Sequence, residues 1–142
     1  MPLTIAVGQF HLMRAEVTQS DVDRFIELSG DRSPVHVDPA FAERYGFSKP
    51  LVHGAYLVAC VSRMIGMEFP AETAILERID LTFRQPCYAP CKLLLTAKVK
   101  QVSSAVSSAI LDVEISDDQD RLLASGKTWH RILNMGPIND TP

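Results

Sequence analysis

The hydrophobic pattern of the chain changes period about half way along. Up to about residue 66, apolar positions recur at helical spacing; beyond residue 72 they alternate. Thr18-Gln19-Ser20-Asp21 reads as a capping box with aspartate in its third position, Val22, Phe25 and Ile26 follow at helical spacing, and Gly30 is a natural stop. A second short helix is predicted from Asp38 as N-cap with Pro39 in the first turn, running through Phe41 and Ala42 to Tyr45-Gly46. A third begins near His53-Gly54 and continues to about Gly66, apolar nearly all the way round, as suits a helix wrapped by other structure. Then Ile75, Ile79, Leu81 and Phe83 alternate with Arg78, Asp80, Thr82 and Arg84, with Glu77 breaking the apolar face. Leu93-Leu95-Ala97-Val99 and Ala109-Leu111-Val113-Ile115 predict two more strands, and Arg121 to Leu133 carries the last. Ser103-Ser104 and Ser116 to Asp120 read as turns, and the spacing suggests consecutive antiparallel hairpins. The expected fold is α+β, with about four sequential strands in an antiparallel sheet curling around one apolar helix.

Composition narrows the function classes. The chain has 142 residues, 46% hydrophobic and 22% charged, with a formal net charge of −3. That is one ordinary domain, 1–142, with 1–8 and 135–142 read as loosely ordered ends. There is no basic excess to neutralise phosphates, so no nucleic-acid partner is expected. The apolar run Leu51 to Ile65 is shorter than the ~20 residues a bilayer span needs, so no membrane partner is expected either. Cys60, Cys87 and Cys91 are odd in number and no secretory leader pattern opens the chain, which predicts free thiols and a cytoplasmic location. Cys87 and Cys91 lack a second ligand pair at zinc spacing, so no metal is expected.

The segment Ser29-Gly30-Asp31-Arg32-Ser33-Pro34-Val35-His36-Val37-Asp38 carries the chemistry. Gly30 ends a helix and Pro34 stiffens the chain, leaving Asp31 and His36 on a short constrained loop where carboxylate and imidazole can converge on one water molecule. Taken alone, the same pair also reads as a turn cap and a structural histidine. With Ala42, Phe47, Pro50-Leu51-Val52-His53-Gly54 and the apolar helix that follows, the run resembles the MaoC-like (R)-specific enoyl-CoA hydratases over most of the chain.

That resemblance implies a hot-dog fold, usually paired as a homodimer, and an Asp31/His36 pair that holds a catalytic water. It implies addition of water to a trans-2-enoyl thioester to give the (R)-3-hydroxyacyl thioester, or the reverse dehydration. Either residue can take the first proton. No separate cofactor is implied: coenzyme A enters as part of an acyl-CoA substrate, preferred over acyl carrier protein because the chain is itself acidic. The Gly54 N–H, at a helix N-terminus, is the expected oxyanion donor, its missing side chain admitting a carbonyl. Ser62 is a possible supporting hydroxyl, with a bond back to its own helix as the alternative; His53 is expected to orient the loop. Tyr56 and Met64 read as core or tunnel lining, and His11 and His130 have no assigned partner. Arg78, Arg84, Lys92, Lys98 and Lys100 are expected on solvated strand faces, within possible reach of coenzyme A phosphates. The chain departs from the family pattern at Ser33, where asparagine is common, and at Pro90-Cys91, where Gly-Asp is common; the second bears on the sheet edge and substrate entrance. The alternatives are a hot-dog thioesterase, which wants a carboxylate that positions 55–66 lack, and an acyl-thioester-binding subunit of a larger dehydratase.

Overall fold

The computed structural model describes residues 4–133. In order it has β1 (Phe10–Val17), α1 (Gln19–Ser29), α2 (Pro34–Val37), α3 (Pro39–Arg44), α4 (Gly54–Met67), a 3-10 turn (Ala71–Thr73), then β2 (Ala74–Phe83), β3 (Cys91–Ser103), β4 (Ser108–Asp117) and β5 (Leu122–Ile132). The five strands form one antiparallel sheet in the order β1-β3-β4-β5-β2, with α4 against its concave face. Leu57, Val61, Met64 and Ile65 of α4 are buried against Leu93, Leu95, Leu111, Val113 and Ile115 of the sheet, in the α+β arrangement expected.

The helix ends follow from their caps. Thr18 Oγ1 accepts the Asp21 N–H, and Asp21 Oδ2 accepts the Thr18 N–H at 2.8 Å, a bond that holds the Asp21 carboxyl below its ordinary range. Gly30 adopts φ 71° and donates to the Ile26 carbonyl. Asp38 Oδ1 accepts from Ala40 and Phe41 to open α3.

Four expectations are corrected. A strand, β1, precedes α1; its outward Phe10 and Leu12 are exposed while Met13 and Val17 are buried, so apolar residues on both faces mask the alternation. The strands are not all consecutive hairpins, because β2 crosses the sheet to pair with β5. The β3–β4 connection is the four-residue turn Ser104–Ser107, with Ser107 in left-handed backbone, and not a tight turn at Ser103-Ser104. The helix α4 is not wrapped on all sides: Ala55, Ala59, Ser62 and Gly66 form an exposed stripe, since one curved sheet covers one side of a helix.

Glu77 breaks the apolar face for a structural reason. It is the extra residue of a bulge between Leu76 and Arg78 opposite β5, so Leu76 and Ile79 both face the core while Ile75 turns outward. Close packing of β2 on β5 also requires Gly126, where a methyl group would sit on the Asp80 carbonyl oxygen. At the start of the described chain, the Ile5 side chain is buried and the Gly8 N–H donates to Val99 O at 2.9 Å. The ends at 1–3 and 134–142 lie outside the described residues.

Candidate active site

Asp31 and His36 come together at the exit of α1. Ser29 Oγ donates to Phe25 O and accepts the Asp31 N–H, and Asp31 Oδ1 accepts the Ser33 N–H at 3.1 Å. The Asp31 carbonyl accepts Nε2–H of His53 at 3.0 Å. Three polar atoms of Asp31 are thus engaged, and Oδ2 is left 4.0 Å from His36 Nε2. His36 is expected on a short constrained loop and lies instead in the single helical turn α2, closed by the Asp38 N–H on Pro34 O. Its Nδ1 is 2.8 Å from the Leu51 carbonyl. A carbonyl only accepts, so Nδ1 carries a proton, and in the neutral ring it is the Nε2 lone pair that faces the carboxylate. The Asp31 carboxylate is half exposed and the His36 side chain only 15% exposed, which leaves one edge of the imidazole open.

That edge opens into a cleft of about 330 Å³ whose walls include His36, Leu51, Gly54, Leu57, Phe83 and Cys87. Gly54 begins α4, and no side chain caps this end, so its first N–H groups are free to meet an anionic or carbonyl oxygen. The expected reason for a glycine needs amending. A Cβ at Gly54 would lie 2.7 Å from Cζ of Phe83, so the space of the missing side chain is filled by that ring. Phe83 was read as one more inward strand residue; it is instead half exposed at the end of β2, turned onto the helix N-terminus. The available signal was an aromatic at a strand's last position, just before Pro86 breaks the pattern.

Of the other candidates, His53 and Ser33 adjoin the pair and Ser62 does not. Ser62 lies eight residues further along α4, about 12 Å of helix rise, on the exposed stripe and away from the cleft. Ser33 is exposed and its hydroxyl makes no cap bond; its N–H donates to the carboxylate of Asp31. His53 is 1% exposed and stacks on His36, with ring centroids 3.8 Å apart. Tyr56 is half-buried against the core, and Met64 is fully buried in it. Of the five basic residues, Arg84 alone lines the cleft, with Nε–H donating to Ser125 Oγ. Arg78 covers Trp129, and Lys100 pairs with Asp112. Pro90-Cys91 lines a second pocket of about 340 Å³ with Tyr88, Asp117 and Arg121, while Cys87 at the start of the same connection forms cleft wall. His11 pairs with Glu68 at 3.0 Å, and His130 is buried against Thr128.

Two chemistries fit this site poorly. Asp31, His36 and His53 offer ligand atoms within 4.8 Å of one another. The two rings are nearly parallel, though, so an ion shared between them would lie about half their 3.8 Å separation out of each ring plane. In-plane lone pairs at the usual ~2.1 Å metal–nitrogen distance cannot meet there. Thiol catalysis fits no better: burial pushes the Cys87 thiol up to about 12 and Cys60 up to about 11, so neither offers a thiolate near neutral pH.

The fold defines a class, and comparison with known proteins names it. The model of the MaoC like domain matches residues 8–119, and the chain belongs to that family. It is 27% identical to the (R)-specific enoyl-CoA hydratase of Aeromonas caviae over 124 residues, 87% of this chain and 92% of that one. It is 34% identical over 82 residues to the 3-hydroxybutyryl-CoA dehydratase of Methylorubrum extorquens, covering 58% of this chain and about half, 52%, of that relative. The structure of the A. caviae (R)-hydratase involved in PHA biosynthesis superposes with a TM-score of 0.84 at 26% identity, covering 91% of this chain and 98% of that one. The fold is the hot dog. Among the described residues no helix is long and apolar enough to cross a membrane.

Proposed function

We propose that the protein reversibly hydrates a trans-2-enoyl thioester, as its coenzyme A ester, to the (R)-3-hydroxyacyl thioester. The observation that carries this is the 4.0 Å gap between Asp31 Oδ2 and His36 Nε2. It is too wide for a direct hydrogen bond, and it suits a water oxygen about 2.8 Å from each. In this reading Asp31 holds one water hydrogen while His36 Nε2 removes the other as oxygen bonds to the β-carbon. The thioester carbonyl becomes an enolate facing the Gly54 N–H, and the proton on His36 then passes to the α-carbon. Water is added whole, and no cofactor is consumed. The similarity to an (R)-hydratase along nearly its full length supports the stereochemistry and the coenzyme A ester. Arg84 at the cleft mouth is the cation best placed for the ester's phosphates.

The reading extends to a homodimer, because β1 and β2 are both sheet edges and α4 has a bare stripe. It also places the protein in the reducing cytoplasm, in keeping with its free cysteines. A thioesterase lacks support, since α4 carries no acidic residue. The test is incubation with crotonyl-CoA while following enoyl absorbance and free thiol together. Loss of the enoyl signal without thiol is expected; thiol release overturns the reading in favour of a thioesterase, and no change in either signal overturns the hydratase.

A further inference from the structure

His53 packs against two other rings. Phe25 of α1 meets it edge-on at 4.9 Å, and His36 stacks on it at 3.8 Å and 21°. Nε2–H donates to the Asp31 carbonyl, which in the neutral ring leaves the lone pair on Nδ1; among the described residues that buried nitrogen has no partner. A buried acceptor without a partner works against stability. Phenylalanine at this position would make the same stack and leave nothing unpaired. What phenylalanine cannot do is hold the Asp31 carbonyl.

We infer that His53 is a positioning residue that fixes both members of the acid/base pair, one through each part of its ring. The Nε2–H tether sets the Asp31 main chain, and with it the direction of Oδ2. The ring face, backed by Phe25, stops the His36 imidazole from tilting away from the bond that Nδ1–H makes to Leu51 O. Since His36 Nε2 and Asp31 Oδ2 must both reach one water, a displacement of either by about 1 Å costs as much as 100-fold in rate. The inference rests on the hydratase reading for its kinetic arm only.

The test separates tether from stack. His53→Phe keeps the stack and removes the tether, and His53→Gln keeps a donor at similar reach and removes the stack. Asp31 is exposed, so water can take over its freed carbonyl. His53→Phe is therefore expected to melt at or above the wild-type temperature, yet to lose about 10- to 100-fold in kcat on crotonyl-CoA with KM little changed. His53→Gln is expected to recover the share of that loss owed to the tether and still to fall short of wild type, because the His36 ring has lost its stack. Exchange of the Ser33 amide hydrogen, which Asp31 Oδ1 protects, should speed up in the phenylalanine variant and not in the glutamine one. If phenylalanine is not accommodated, His53→Leu removes the same donor with no added volume and carries the same expectations. Near-normal kcat in the donor-less variant, or a kcat loss matched by loss of folded protein, overturns the inference. Unchanged Ser33 exchange overturns it whether or not the wild type hydrates crotonyl-CoA, whereas an inactive wild type overturns the hydratase reading.

Discussion

Replacing Asp31 by asparagine changes the site in a way the surrounding bonds dictate. The Ser33 N–H needs an acceptor, so the amide oxygen takes the place of Oδ1 and the NH₂ group takes the place of Oδ2, facing His36. The water between them then meets a donor where it needs an acceptor, and the imidazolium formed in the reaction loses its counter-charge. General acid–base assistance contributes about 10²- to 10⁴-fold, so kcat is expected to fall by that factor, about 3–5 kcal/mol of barrier. Stability should change little, by under about 1 kcal/mol, because the carboxylate is 47% exposed and forms no direct hydrogen bond to the ring. KM should hold within a few-fold, as Asp31 is not part of the cleft wall. The assay is the initial rate of enoyl absorbance loss at saturating crotonyl-CoA, beside a urea melt of the same preparation. A variant within threefold of wild-type kcat, or one whose loss matches its unfolded fraction, would refute the reasoning.

Three further outcomes follow from particular contacts. Gly54→Ala places a methyl 2.7 Å from the Phe83 ring and forces it toward the cleft; kcat/KM is expected to drop about 10- to 100-fold in steady-state assays while the fold survives, because a half-exposed ring can move. Gly126→Ala drives a methyl into the Asp80 carbonyl, where only backbone can yield, and should cost about 3 kcal/mol or more in urea unfolding. Burial lowers His130 from 6.5 to about 4, so the unfolded chain takes up this proton first as pH falls. The stability this contributes is complete above pH 6.5 and declines as pH drops toward 4, by about 3 kcal/mol in all. In His130→Gln the decline through that window should be shallower in urea melts taken at successive pH values, and an identical slope would contradict the assignment.

What could be read from the chain was local. Caps at Thr18 and Asp38, the stop at Gly30 and the inward faces of β3 and β4 are encoded within a few residues, and all are in place. The approach of Asp31 to His36 was legible for the same reason: five residues with one proline leave few ways to separate them. The long-range features were not legible. β1 pairs with residues some 80 positions away and shows apolar side chains on both faces. β2 passes over its neighbour in sequence to reach β5, a choice no strand period records. His53 is already expected from the sequence to orient the loop, but Phe25 beside it and Phe83 on the cleft wall are ordinary helix and strand residues until the fold brings them to the site.

The central claim is that water held between Asp31 and His36 adds to one face of an enoyl thioester. Chiral analysis of the product from crotonyl-CoA tests it most directly, with Asp31→Asn run in parallel. The account predicts (R)-3-hydroxybutyryl-CoA from the wild type and product lower by about 10²-fold or more from the variant in the same time. Formation of the (S) product, of free coenzyme A, or of equal product from both proteins would contradict it.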